Sequence, residues 1–257
     1  MDEAVERIAA VIQERAGCAE QRRMARVCVV NANKAWQARR DAELRRVLER
    51  AELLVSEYAT AWAARRLGLD GVRNIGGIRL LVRLLREAEA RGWSVYFLGA
   101  RQAVLGAMLG RLGHTHPGLR VVGARDGYWG GRRGGGAGFE GAEWARVVAE
   151  LERVAPDLLF VGMGSPLQER VIGRLPAAAA GVAMGVGGSF DVLAGVRRDA
   201  PEWARGNGLE WLYRLAQDPR RLWRRYLVTN TWVVWSVARE RLVPRLAVER
   251  ARGSPRP

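Results

Sequence analysis

Three groups of residues in this sequence are equipped for chemistry. The first is "GMGSPLQER" (162–170), where Gly162 and Gly164 follow an apolar run and precede a helical pattern. Glycines at such a turn let the backbone approach a ligand. The N-terminus of the next helix offers free N–H groups to a phosphate or carbonyl. Gln168 and Glu169 fall on that helix's first turns, able to bond sugar hydroxyls. An ordinary strand-to-helix turn, with Ser165 and Pro166 as cap and first residue, fits the same letters. The second group is "GVGGSFDVLAG" (185–195). Gly187 and Gly188 again make room, and Asp191, beyond Phe190, is a carboxylate in an apolar setting, able to bond a ribose or base or to cap a helix. Gly99 in "GARQAVLG" marks a weaker turn of the same kind. The third group is arginine. Arg214, Arg221 and Arg224 or Arg225 have the spacing of one helix face. Guanidinium groups so placed can hold a diphosphate bidentately. A solvated helix with core aromatics is the alternative.

Other chemistries lack their residues. There is no D-x-D, no P-loop and no G-x-S-x-G, and "GGRRGGGAG" (130–138) is not a dinucleotide fingerprint but reads as a mobile loop. His114 and His116 have no nearby carboxylates and make a poor metal site. No metal and no cofactor is expected. Cys18 and Cys28 are too few for a disulfide framework, and Cys28 in "VCVV" reads as core, which suits a reducing cytoplasm. The N-terminus is an amphipathic helix rather than a signal peptide, and no apolar run is long enough to span a bilayer.

The charge points to a polyanionic partner. The chain carries a formal net charge of +15. Lys34 is its one lysine, and genomic composition is the alternative explanation for part of the arginine bias. Between Arg205 and Pro257 there are 12 arginines against 4 acids. Nucleic acid, a phospholipid surface or a diphosphate would each answer that asymmetry. No recognisable nucleic-acid module is present, so nucleic acid is not expected.

The elements that must position these groups alternate. Strands are predicted at 26–31, 52–57, 94–100, 119–125, 157–164 and 181–188. Helices are predicted at 34–51, 77–92, 101–113, 141–155 and 166–175. This implies an α/β fold, a doubly wound, mostly parallel, Rossmann-like sheet. Ligands in such sheets sit outside the carboxyl ends of the strands, which selects Asn31, Glu57, Gly99, Gly162 to Gln168 and Gly185 to Asp191. After 205 the pattern is helical alone. The expected division is an α/β core at 1–205 and a basic, aromatic helical appendage at 206–257. Asp218 and Pro219 begin a helix running to about Arg241, and the end beyond it is expected to fray. Trp223, Tyr226, Leu227, Trp232, Val234 and Trp235 would pack inward or dip into a lipid headgroup region. Exposed aromatics there also favour self-association into a homo-oligomer.

Three blocks, "PDLLFVGMGSPLQERVI", "GVGGSFDVLAG" and "RRDAPEWARGNGLEWLYRLAQDPRRLWRRYLVTN", closely resemble the WecG/TagA/CpsF glycosyltransferases. The likeness continues more loosely through "VYFLGA" and "HPGLRVVGARDGYW", covering roughly 25–235. The resemblance implies an inverting, metal-independent enzyme, peripheral on the inner face of the cell membrane. It would move N-acetylmannosamine or a similar sugar from a UDP-sugar to a polyprenyl-diphosphate-linked sugar during cell-surface polysaccharide synthesis, such as that of teichoic acid or exopolysaccharide. By resemblance the "GMGSPLQE" and "GGSFD" turns line the UDP-sugar pocket. Arg214, Arg221 and Arg224 or Arg225 meet a diphosphate. The N-terminal third departs from the pattern. Val29 stands where the family has threonine, Glu57 where an aspartate is the favoured general base, and Arg79 where an acid is expected. These changes also fit a catalytically impaired homologue that binds UDP-sugar or polyprenyl diphosphate and assists a partner enzyme.

Overall fold

The computed structural model describes residues 1–17, 23–69, 72–128, 139 and 141–242. Cys18, the glycine loop at 130–138 and the end beyond 242 lie outside them. The first half runs α1 (Asp2–Gly17), β1 (Ala25–Val30), α2 (Ala32–Ala38), α3 (Ala42–Glu49), β2 (Leu53–Ser56), α4 (Tyr58–Arg66), α5 (Gly77–Arg91), β3 (Ser94–Gly99) and α6 (Gln102–Thr115). The second runs β4 (Arg120–Arg125), α7 (Ala142–Val154), β5 (Leu158–Gly162), α8 (Leu167–Arg174), β6 (Val182–Gly185), α9 (Ser189–Leu193), α10 (Glu202–Gly206), α11 (Glu210–Gln217) and α12 (Pro219–Leu242).

The six strands form one parallel sheet in the order β2-β1-β6-β5-β3-β4. Parallel strands need cover on both faces, and β3, β5 and β6 are buried along their whole length. Side chains alternate between two cores with the period of a strand. Val95, Phe97, Phe160 and Met184 pack under α1, α5, α6 and α9. Tyr96, Leu98, Leu159, Val161 and Ala183 pack under α7 and α8. Phe97 stacks on Phe160 at 5.9 Å and meets the edge of Phe190 at 5.6 Å. Removing such a ring costs about 3–5 kcal/mol. Helix α5 ends where its sequence directs, with Gly92 in the left-handed region at φ 70°.

Two local features depart from the periodic reading. The helix predicted at 34–51 is two helices. Asp41 breaks it by capping α3: its carboxylate accepts from the Leu44 N–H at 3.0 Å and from Arg170 at 2.7 Å. The Leu44 bond and the Arg170 guanidinium together outweigh desolvation and hold that carboxyl below its usual range. Helix α4, unread in the sequence, begins directly after Glu57.

Strand order decides what meets what. Along the carboxyl edge, from β2 to β3, stand Glu57, Asn31, the Gly187–Gly188 turn, the Gly162–Gly164 turn and Gly99. Among the described residues the appendage packs at one end of this row. Helix α12 folds back against α2, α4 and α11, at the end where β1 and β2 finish.

Candidate active site

Beneath α12 lies a cavity of about 340 Å³. Its floor comes from the strand ends: Asn31 after β1, then Glu57, Tyr58 and Trp62 after β2 and along α4. Its roof comes from the appendage: Glu210, Trp211 and Arg214 of α11, then Arg225, Tyr226, Thr229, Asn230, Val233 and Val234 of α12. The α12 residues form one helical stripe, spaced by three, four and one. Gly208 lets the roof close. A Cβ there would sit 2.4 Å from the Tyr58 ring, and its φ of 71° suits glycine.

The charges in this cavity are opposed but not cancelled. The Glu57 side chain has no hydrogen bond and no ion pair among the described residues; only its backbone is engaged, with Val30, Ala61 and the Thr60 hydroxyl. Arg214 pairs with Glu210 one turn before it. Burial works against the Arg214 cation, yet the negative charges of Glu57 and Glu210 more than offset it and hold its pKa above the ordinary value. Burial raises the Glu210 carboxyl, with Arg214 opposing and Glu57 adding to the shift. Burial likewise raises the Tyr226 phenol against the pull of Arg225 and Arg214. Arg225 lies over the Tyr226 ring at 5.2 Å, and its Nε is buried with no partner among the described residues. A guanidinium with an unmatched buried donor is suited to an anionic ligand. A carboxylate with open lone pairs is suited to taking a proton from a hydroxyl held in the same space.

The glycine turns are built differently. Gly99 and Gly162 lie side by side where β3 and β5 end. A Cβ on Gly99 would come within 2.6 Å of the Gly162 backbone, at a φ of 128°. Between the next two turns sits Gln168, whose Oε1 accepts from the N–H of Gly164 at 3.1 Å and of Gly187 at 2.9 Å. Its Nε2 donates to Glu169 at 2.8 Å. Glu169 also accepts from Ser165 at 2.7 Å and pairs with Lys34 Nζ at 2.7 Å. Gln168 and Glu169, read from sequence as able to bond sugar hydroxyls, are both buried and bonded to protein. The N–H groups of Gly164 and Gly187 are likewise occupied.

The remaining candidates divide. Asn31, Glu57, Arg214 and Arg225 are brought together in the cavity. Asp191 stands beside Gly188 with its carboxylate unbonded among the described residues, a free acceptor at the glycine turns. Phe190 points into the core, its ring filling the space a Cβ on Gly162 would take. Arg224 is exposed on the outer face of α12, over the Trp223 ring at 5.1 Å. The Arg221 side chain lies outside the described set. Arg79 is exposed at the start of α5, and Val29 is buried against Gly77. His114 lies in the last turn of α6 and His116 caps it. No group of three or more His, Cys, Asp or Glu side chains is gathered for a metal among the described residues. Glu210, Trp62, Thr229 and Asn230 were not singled out from sequence. The stripe at 225, 226, 229, 230, 233 and 234 was the signal that could have found the last two.

Comparison with known proteins places this geometry. The chain is 29% identical over 227 residues to the N-acetylglucosaminyldiphosphoundecaprenol N-acetyl-beta-D-mannosaminyltransferase of Bacillus spizizenii, covering 86% of this chain and 82% of that one. It is 29% identical over 206 residues to the protein of the same name from Bacillus subtilis, covering 78% and 74%. The profile of the WecG/TagA/CpsF glycosyl transferase family matches residues 1–247. A parallel sheet whose carboxyl edge carries these turns, closed at one end by an arginine-bearing helix, is therefore that of a glycosyltransferase, and the chain belongs to the WecG/TagA/CpsF family.

Proposed function

We propose that the protein is an inverting, metal-independent glycosyltransferase. It moves N-acetylmannosamine, or a sugar like it, from a UDP-sugar to a polyprenyl-diphosphate-linked sugar. The relatives' printed names supply the acceptor class and the transferred sugar. One observation carries the reading: an unbonded carboxylate, Glu57, shares a cavity with two guanidinium groups, Arg214 and Arg225.

The chemistry follows from that pairing. Glu57 takes the proton of the acceptor hydroxyl as its oxygen attacks the anomeric carbon. The bond from that carbon to the UDP oxygen breaks, and its electron pair leaves with the diphosphate. Attack opposite the leaving group inverts the centre. Arg214 and Arg225 neutralise the charge that develops, in a recess where such contacts are stronger than in water. Asp191 is the acceptor available at the glycine turns for a ribose hydroxyl. Glu57 reaches one methylene further than an aspartate would, and its position as the first residue before α4 sets where the acceptor hydroxyl must lie.

The outer face of α12 supports a place at the membrane surface. Trp223, Leu227, Val228 and Trp235 are exposed there, interleaved with exposed Arg220 and Arg224. An amphipathic, basic and aromatic helix of this kind lies in the headgroup region of anionic lipid. No helix among the described residues is long and apolar enough to cross a membrane. Docking the roof of the cavity on lipid brings a polyprenyl acceptor to Glu57. The test is a donor screen by UDP release, with a short-chain polyprenyl-diphosphate sugar as acceptor. Release that depends on acceptor, with one UDP-sugar favoured, is the expected result. No release from any donor would leave a binding protein in place of an enzyme.

A further inference from the structure

Lys34 is the single lysine in a chain with 41 arginines, and the reaction as drawn gives it no part. It sits in the first turn of α2, its backbone N–H donating to Asn31 Oδ1 at 3.0 Å. Its ammonium meets Glu169 at 2.7 Å with 3% and 1% of the two side chains exposed. A pair so deeply buried is costly to desolvate and need not stabilise a fold at all. Surface pairs such as Arg91 with Glu6 carry no such cost. What distinguishes the Lys34 pair is where it leads.

Glu169 binds Gln168, and Gln168 holds the N–H groups of Gly164 and Gly187. The chain of bonds thus runs unbroken from Asn31, in the cavity wall, to both glycine turns. It joins the end of β1 to the ends of β5 and β6. An arginine would not serve. Lysine brings three donors on a compact head, whereas a planar guanidinium brings five, and among the described residues Glu169 Oε1 is the acceptor that meets it.

We propose that Lys34 is a positioning residue that couples the cavity beneath α12 to the glycine turns, acting through Glu169 and Gln168 so that the two halves of the site hold one geometry. This rests on the transferase reading. In that reading the glycine turns hold the donor and the cavity presents the acceptor hydroxyl, so loosening the link lengthens the attack distance without emptying either half.

The test uses the full chain carrying Lys34→Met with Glu169→Gln, which removes both buried charges and retains acceptor and donor atoms at 169. Two quantities are measured: the ratio of sugar transfer to donor hydrolysis by water, and backbone hydrogen exchange over 31–35, 164–168 and 185–188. Transfer is expected to fall relative to hydrolysis by ~10-fold or more, since misplacement of about 1 Å can cost roughly 100-fold. Exchange is expected to quicken in all three segments together. A ratio within twofold of the unmodified protein, or faster exchange at 31–35 alone, would reduce the pair to local packing. Should the double variant fail to fold, Lys34→Arg retains the charge and oversizes the head, and the same exchange pattern decides. If the unmodified protein turns over no donor, the transferase reading fails, while the exchange result still tests the coupling.

Discussion

The two ends of this carboxyl edge are made of different material. Beneath α12 the site is made of side chains, with Glu57 unbonded, Arg225 holding an unmatched buried donor, and Arg214 drawn between two carboxylates. At β5 and β6 the site is made of backbone. Its buried polar groups are matched to one another through Gln168, Glu169, Ser165 and Lys34. Open charge can act on a substrate, whereas a satisfied network can only hold a shape. On the proposed function, that contrast makes the cavity the place where bonds change and the glycine turns the jig that fixes the donor. The turns still offer Asp191, whose carboxylate remains unbonded among the described residues.

Substitutions can break or sharpen that contrast. The largest effect is expected from Glu57→Gln, which keeps the shape and removes the base. Turnover should fall by about 10²–10⁴-fold, measured as acceptor-dependent UDP release, with UDP affinity retained. An unchanged rate would move the chemistry out of the cavity. At the other end, Gly99→Ala should act on stability before activity. The added Cβ would strike the Gly162 backbone at a φ that side chains rarely adopt. A loss of roughly 2–5 kcal/mol in denaturant unfolding is expected from strain and overpacking together.

A pH experiment reads the dryness of the jig. Burial pushes the Cys28 thiol, in β1, from its ordinary value of 9.0 up to about 11, with Lys34 opposing and Glu169 adding. The unfolded thiol ionises first, so folding stability should be complete below pH 9 and fall between about pH 9 and pH 11. At roughly 1.4 kcal/mol per unit, the loss is about 3 kcal/mol. In Cys28→Ala this part of the slope should vanish. The smallest effect concerns the face of α12 turned away from the cavity. Arg220→Gln should weaken binding to anionic vesicles by about 1 kcal/mol and leave turnover on a water-soluble acceptor unchanged. Equal binding by both proteins would detach this face from the membrane.

How much of this was legible depends on the range of the forces involved. The central strands β3 and β5 were readable because buried parallel strands are apolar throughout, as in "VYFLG" and "LLFVG". The start of α12 at Pro219 was readable for a local reason also, since proline suits a first helical turn. The break at Asp41 was not, because its cap is reinforced by Arg170, 129 residues away in sequence. Glu57 and Asn31 were reached by the rule that ligands lie beyond strand ends. The inward turn of Gln168 and Glu169 was hidden, since their partner Lys34 becomes a neighbour only when β1 and β6 pair. The roof of the cavity was half visible: the arginines stood out by charge, while Thr229 and Asn230 needed α12 laid on α2 and α4 before their stripe had meaning.

The claim on which the mechanism turns is that Arg214 and Arg225 bind the diphosphate of the departing nucleotide. Calorimetric titration of UDP and UMP measures this without knowledge of donor sugar or acceptor. The unmodified protein should bind UDP more tightly than UMP by ~10-fold or more, about 1.4 kcal/mol. In the Arg214→Met, Arg225→Met protein that gap should close while UMP affinity holds. A gap that survives both substitutions would place the diphosphate elsewhere and leave the cavity without its leaving group.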